Sequence, residues 1–285
     1  MESFKIENWV NGSSDPATKE YRQAVHTLIV AISNSATLYS RMIIHGGILL
    51  GIQFGNERHT RDIDFSTNEK YTLEIKESII RELKKELINA VENLDYGIDL
   101  QIQHARLNPD KEGASFPTLE INIGHAYKGT NKHKRLMRGA CPTVLSIDYS
   151  FNELNSQIDT LEVKSGGKIK AYSIVDLVAE KYRAIIQQTI RNRPRRQDAY
   201  DIYKLLEGNF LQDGSLKSNI LETLKIKAFS RDIKVNQNML DNDETRNYSR
   251  NEYEGLRHEI EGELPPFEDL YNKVNEYFKS LPWRL

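Results

Sequence analysis

Two aspartates one residue apart, Asp62 and Asp64, stand in the segment Arg61-Asp62-Ile63-Asp64-Phe65. In an extended strand alternate side chains share a face, so both carboxylates point one way and Ile63 and Phe65 the other. Left alone, the two acids repel each other and are costly to desolvate. A hard divalent cation removes both penalties, and Mg²⁺ favours one or two carboxylates together with waters and substrate phosphates. Upstream, Gly46 and Gly47 would let phosphate groups approach backbone N–H donors at a helix start. The combination suits metal-assisted phosphoryl or nucleotidyl transfer. By itself Asp-x-Asp more often describes two exposed acids at a strand end, and Gly-Gly as readily describes a plain strand-to-helix turn.

Further along, Lys181 falls on the helical face of Ile174, Leu177, Val178 and Ile185, where an aliphatic residue is expected. A lysine facing a core is costly unless its ammonium reaches an anion. It either snorkels or forms a structural salt bridge, or it neutralises a phosphate. Asp198 and Asp201 share the face of Ile202 and Leu205 on the next helix. Either acid could pair with Lys181 or take part in catalysis, and Asp198 also suits a first-turn acid stabilised by the helix dipole. Asp148, in the alternating Ser146-Ile147-Asp148-Tyr149-Ser150, would complete a metal triad if its strand lay beside Asp62 and Asp64. Asp99 and Glu120 compete for that role.

These side chains need a scaffold. The spacing of Tyr21, Val25, Leu28, Ile29 and Ile32 predicts a helix over residues 14–34. A buried strand is expected at 40–44, a short helix from 48 and a strand at 62–65. An amphipathic helix is expected over 69–94, with a stripe of Ile79, Ile80, Leu83, Leu87, Ile88 and Val91. Strands are expected at 97–103, 118–123 and 143–151, with a basic loop at 128–138. A capping box at Ser173-Ile174-Val175-Asp176 starts a helix running to about 190. A basic loop over 191–196 and a helix over 197–206 follow. Residues 236–251 read as irregular, and Pro265-Pro266 as a break before a last helix.

The chain has 285 residues, 39% hydrophobic and 28% charged, which describes a folded globular protein rather than a disordered one. A net charge of −2 excludes bulk attraction to polyanions, so any nucleic acid must meet a local basic patch. Lys128, Lys132, Lys134, Arg135 and Arg138 form one candidate. Arg191, Arg193, Arg195 and Arg196 form another. The single cysteine, Cys141, excludes an intrachain disulfide and a cysteine-rich zinc site. The residues 1–5 lack a secretion-signal pattern, and no apolar run reaches the roughly 20 residues of a membrane span. The expected setting is the cytoplasm, with no membrane contact.

Together these motifs resemble the AbiEii/AbiGii-type nucleotidyltransferases. Gly46-Gly47-Ile48-Leu49-Leu50 followed by Arg58-His59-Thr60-Arg61-Asp62-Ile63-Asp64-Phe65 looks like that family's Gly-Gly-x-x-Leu and Arg-x-Thr/Ser-x-Asp-hydrophobic-Asp-Phe pattern. Ala179-Glu180-Lys181-Tyr182-Arg183-Ala184 and Arg196-Gln197-Asp198-Ala199-Tyr200-Asp201 resemble its two later segments. Gln197 stands where the family often has Arg or Lys.

The resemblance implies an α+β protein. A polymerase-β-like nucleotidyltransferase domain with a mixed sheet, residues 1–170, would be followed by a mainly helical domain, residues 171–285, completing the active site. It implies a toxin of a bacterial toxin–antitoxin or phage-defence system, with a cognate antitoxin. Such a toxin would move nucleotides from an NTP to an RNA acceptor such as a tRNA 3′ end. By this carry-over Asp62 and Asp64 hold Mg²⁺, with Asp148 as the looser third ligand. Gly46, Gly47, Thr60 and Arg61 lie against the nucleotide, Lys181 neutralises phosphate charge, and Asp198 is a further essential acid. Other readings are nucleotidyl transfer to a protein or small molecule, and an NTP-binding protein acting through a protein partner.

Overall fold

The computed structural model describes residues 6–56, 58–111, 113–163 and 167–283. Residues 1–5, which lack a secretion-signal pattern, lie outside them, as does Glu57 of the polar loop before Asp62. Backbone contacts divide the chain into two units, Met1–Gly55 with Thr60–Ala171, and Asn56–His59 with Tyr172–Leu285. Among the described residues no helix is long and apolar enough to cross a membrane.

The first unit carries a mixed seven-stranded sheet. Its strands are β1 (Ile43–His45), β2 (Asp62–Ser66), β3 (Ile98–Asn108), β4 (Thr118–Tyr127), β5 (Val144–Ser150), β6 (Ile158–Val163) and β7 (Gly167–Tyr172), in the order β3-β4-β5-β2-β1-β7-β6. Its helices are α1 (Ile6–Asn11), α2 (Pro16–Asn34), α3 (Ala36–Arg41), α4 (Gly46–Phe54), α5 (Leu73–Leu94) and α6 (Asn131–Leu136). The alternation of the central strands decides the layering. Ile63, Phe65, Leu119, Ile121, Ile123, Leu145, Ile147 and Tyr149 are all buried. α2 packs on β3, β4 and β5 and against α5, so this apolar face meets the helices. The residues between them are polar and turn the other way.

The second unit is helical: α7 (Ile174–Arg191), α8 (Arg196–Glu207), α9 (Gly214–Phe229), α10 (Asp243–Arg250), a 3-10 turn at Tyr253–His258, and α11 (Phe267–Lys279). Ser173 caps α7 by accepting from the Asp176 N–H, as the capping box predicts. Asp176 is fully buried and meets the Lys227 ammonium at 2.9 Å, which ties α7 to α9.

Several local expectations change. The segment over 128–138 contains α6, started by Thr130, whose hydroxyl accepts from the His133 N–H. Residues 236–251 contain α10, capped by Asn242. Its buried positions, Thr245 and Ser249, are polar, so an apolar stripe could not reveal it. The long amphipathic helix starts at Leu73 rather than 69, and Ile88 of its stripe is 62% exposed. The strands β6 and β7 and the helix α3 had no counterpart in the sequence reading.

Candidate active site

Pairing of β2 with β5 is parallel and sets Asp64 opposite Asp148 and Asp62 opposite Ser146. On the far side of β5, β4 places Glu120 opposite Asp148 and Asn122 opposite Ser146. On the other side of β2, β1 places His45 opposite Asp64. One row therefore reads Glu120, Asp148, Asp64, His45 across four strands, with Asp62 two residues along on the same face. Asp62 is exposed, and Asp64, Asp148 and Glu120 are half-buried. Glu120 is committed elsewhere: it accepts from Arg106 and Asn108, each at 2.5 Å. The adjacency that spacing alone left open thus favours Asp148 over Asp99 as neighbour of the pair, while Asp99 binds His133 and Lys128.

The glycines are placed by this carboxylate. Gly46 opens α4 with φ +72°, a left-handed backbone that suits glycine. A Cβ there would overlap the Asp64 carboxyl group. The side chain of His45, the N-cap of α4, makes no capping bond, and the helix begins beside the Asp64 carboxylate, as its dipole favours. Thr60 donates its hydroxyl to the Asp62 carbonyl at 3.4 Å. Tyr21 of α2, which sequence reading placed only among core positions, donates its hydroxyl to the Arg61 carbonyl at 3.1 Å. Burial, and then the charges of Asp62 and Asp64, push this phenol above its ordinary range, so it remains a donor.

Among the described residues, no three of His, Cys, Asp and Glu are arranged as they stand to hold a metal ion. The donor set nonetheless fits Mg²⁺, which rarely uses an all-protein cage and completes its shell with water and phosphate oxygens. Carboxylates aligned on one face supply hard oxygen donors in that partial way.

The second unit answers what a lysine does on an apolar face. Lys181 is buried, and its ammonium donates to Asp198 at 3.0 Å and to Asp201 at 2.7 Å. Burial alone would lower its pKa, but Asp201 and Asp198 raise it instead. Asp201, fully buried, also receives a two-pronged contact from Arg58, with Nε to Oδ1 at 3.1 Å and Nη2 to Oδ2 at 3.0 Å. Asn56 adds a bond to Oδ1 at 2.8 Å. Burial would raise the Asp201 pKa, but Arg58 and Lys181 outweigh it and hold the carboxyl at about 2. Arg58 was visible in sequence only as a motif position, because a loop residue has no periodicity to betray its partner. The second basic segment is partly neutralised, since Arg196 pairs with Glu252 and Glu259.

A family profile described as "Nucleotidyl transferase AbiEii toxin, Type IV TA system" matches residues 30–273. Comparison with curated proteins finds no match. Among solved structures, the crystal structure of JHP933 from Helicobacter pylori aligns with a TM-score of 0.47 and 11% identity, covering 94% of this chain and 93% of that one. A protein described as a candidate nucleotidyltransferase from H. pylori aligns with a TM-score of 0.35 and 12% identity, over 87% of this chain and 100% of that one. Because the matched span contains the glycine pair, the aspartates and the lysine helix, the chain belongs to the AbiEii family of nucleotidyltransferase toxins of type IV toxin–antitoxin systems.

Proposed function

We propose that the protein transfers a nucleotide from an NTP to an RNA 3′ end such as that of a tRNA, in the cytoplasm, with Mg²⁺ held by Asp62, Asp64 and Asp148. The observation that carries this reading is the in-register placement of Asp148 beside Asp64, with Asp62 on the same face. Bound there, Mg²⁺ would supply Lewis-acid stabilisation of the charge on the triphosphate oxygens.

The residues of the chain do the rest. Asp62 and Asp64 would hold the ion, and the backbone N–H groups at Gly46 and Gly47 meet phosphate oxygens at the start of α4. Thr60 and Arg61 border the same strand end. The acceptor 3′ oxygen attacks the α-phosphorus and a new P–O bond forms. The bond to the β-phosphate breaks, and pyrophosphate leaves. The proton of the attacking hydroxyl passes to a carboxylate oxygen of Asp148. An ammonium has three N–H donors, and the carboxylates of Asp198 and Asp201 use two of those on Lys181. Reactions of this type rely on positioning and electrostatics, so the loss of one charge is felt strongly.

The test is incubation with each labelled NTP and total cellular RNA, with and without EDTA, for the wild type and Asp64→Asn. Label in RNA that requires metal and Asp64 is the expected result. Label appearing in protein instead, or full activity in Asp64→Asn, sinks the reading. Family membership also implies a cognate antitoxin.

A further inference from the structure

We propose that α6 and the turn after it form a ledge for the phosphate backbone of a single-stranded RNA acceptor, contacted by Lys134, Arg135 and Arg138. This rests on the nucleotidyl-transfer reading above and names where its acceptor docks.

The placement comes from strand parity. Gly124 of β4 shares its face with Glu120 and Asn122, since side chains alternate. A Cβ at Gly124 would come within 2.8 Å of Leu136 Cδ1 and overlap the Gln103 amide. Leu136, and α6 with it, therefore lies over the sheet face that carries the carboxylates. The contact of His133 Nε2 with Asp99 at 2.7 Å agrees, because Asp99 pairs with Ala126 on that same face. The distance follows from register. Gly124 is opposite Val144, Asn122 is opposite Ser146, and Ser146 is opposite Asp62. The rung under α6 is thus two residues beyond the Asp62 rung, about 7 Å along the strands.

Charge then selects the residues. Of the basic side chains over 128–138, Lys128 is engaged by Asp99 at 3.3 Å and Lys132 by Glu20 at 2.7 Å. Lys134, Arg135 and Arg138 are exposed, and no ion pair of the described residues uses them. Three uncompensated cations beside a cluster of acids, in a chain of net charge −2, fit a polyanion that runs past them to the reaction centre. Asn122 and Ser146 lie between, with hydrogen-bonding groups on the same face.

The decisive comparison is Lys134→Glu/Arg138→Glu against wild type, in fluorescence anisotropy with a fluorescein-labelled single-stranded RNA over a salt series. Both side chains are exposed, and a thermal melt confirms that the variant is folded. We expect affinity to fall about tenfold or more and the salt slope to lessen by about 1.4, since each phosphate contact on a single strand contributes about 0.7. The KM for RNA rises while that for NTP stays unchanged. Lys128→Ala, which removes a cation already paired, leaves the slope unchanged. A folded double variant with wild-type affinity and slope overturns the ledge alone. Wild-type protein that binds no RNA overturns the acceptor reading, and the ledge falls with it.

Discussion

Asp148 lies directly opposite Asp64 across the parallel ladder of β2 and β5. Like charges set directly opposite each other across a ladder repel. On the proposed reading this pair serves to bind a cation. Asp148→Asn is expected to stay folded in metal-free buffer. The same change should remove most of the extra stabilisation that Mg²⁺ with NTP gives the wild type, and cut transfer at least tenfold. Differential scanning fluorimetry with and without Mg²⁺ and NTP, beside a transfer assay, reads all three. A lower melting temperature with full transfer would assign Asp148 to structure rather than chemistry.

Gly46 is the backbone counterpart of that acid. Its φ of +72° costs a non-glycine residue about 1–2 kcal/mol, and the added Cβ would overlap the Asp64 carboxyl group. Gly46→Ala should lose a few kcal/mol of stability in urea unfolding and displace Asp64, so transfer should fall by orders of magnitude. Gly55 offers the control. Its φ is +66° with open space around the missing Cβ, so Gly55→Ala should show the backbone cost with transfer retained.

How much of this was legible depends on which physical signal each part leaves in a sequence. The strand carrying Asp62 and Asp64 alternates cleanly because one face is buried, so its carboxylates could be assigned a common direction. Lys181 announced itself as a cation where an aliphatic residue belonged, and its bonds to Asp198 and Asp201 account for that. Register is different: whether β5 or another strand lies beside β2 is set by sheet topology, which periodicity does not encode, so Asp148 had rivals. Arg58 and Tyr21 were missed for two reasons. One is a loop residue without a pattern, and the other sits on a helix face whose apolar stripe made it look like core.

Tyr21 offers a milder prediction. Its hydroxyl holds the Arg61 carbonyl just ahead of Asp62, at 3.1 Å. Tyr21→Phe keeps the ring and deletes one hydrogen bond, worth about 1 kcal/mol. The expected result is a near-normal fold and a several-fold fall in kcat. The Mg²⁺ concentration for half-maximal rate should rise, and KM for RNA should stay unchanged. An unaltered metal dependence would mean the phenol only packs.

Asp201 joins two buried cations, Arg58 and Lys181, and this gives a pH dependence of definite sign. Its carboxyl is held at about 2 in the folded state, against an ordinary value of 3.8. Between those values the unfolded chain binds more protons than the folded one, so stability is full above about pH 4 and is lost as pH falls toward 2. Lys181 works in the opposite sense. Its pKa is raised above 10.5, so its contribution is full below that value and is lost on going further alkaline. Asp201→Asn should flatten the acid limb. At neutral pH it should also destabilise by about 3–5 kcal/mol, because Arg58 and Lys181 lose a buried counter-charge. Arg58→Met/Asp201→Leu removes the pair rather than one partner and should recover part of that loss, although Asn56 and Lys181 still lose a ligand. Urea unfolding from pH 7 down to 2 for the wild type and both variants checks the sign. An acid limb unchanged in Asp201→Asn would place its origin in another carboxylate.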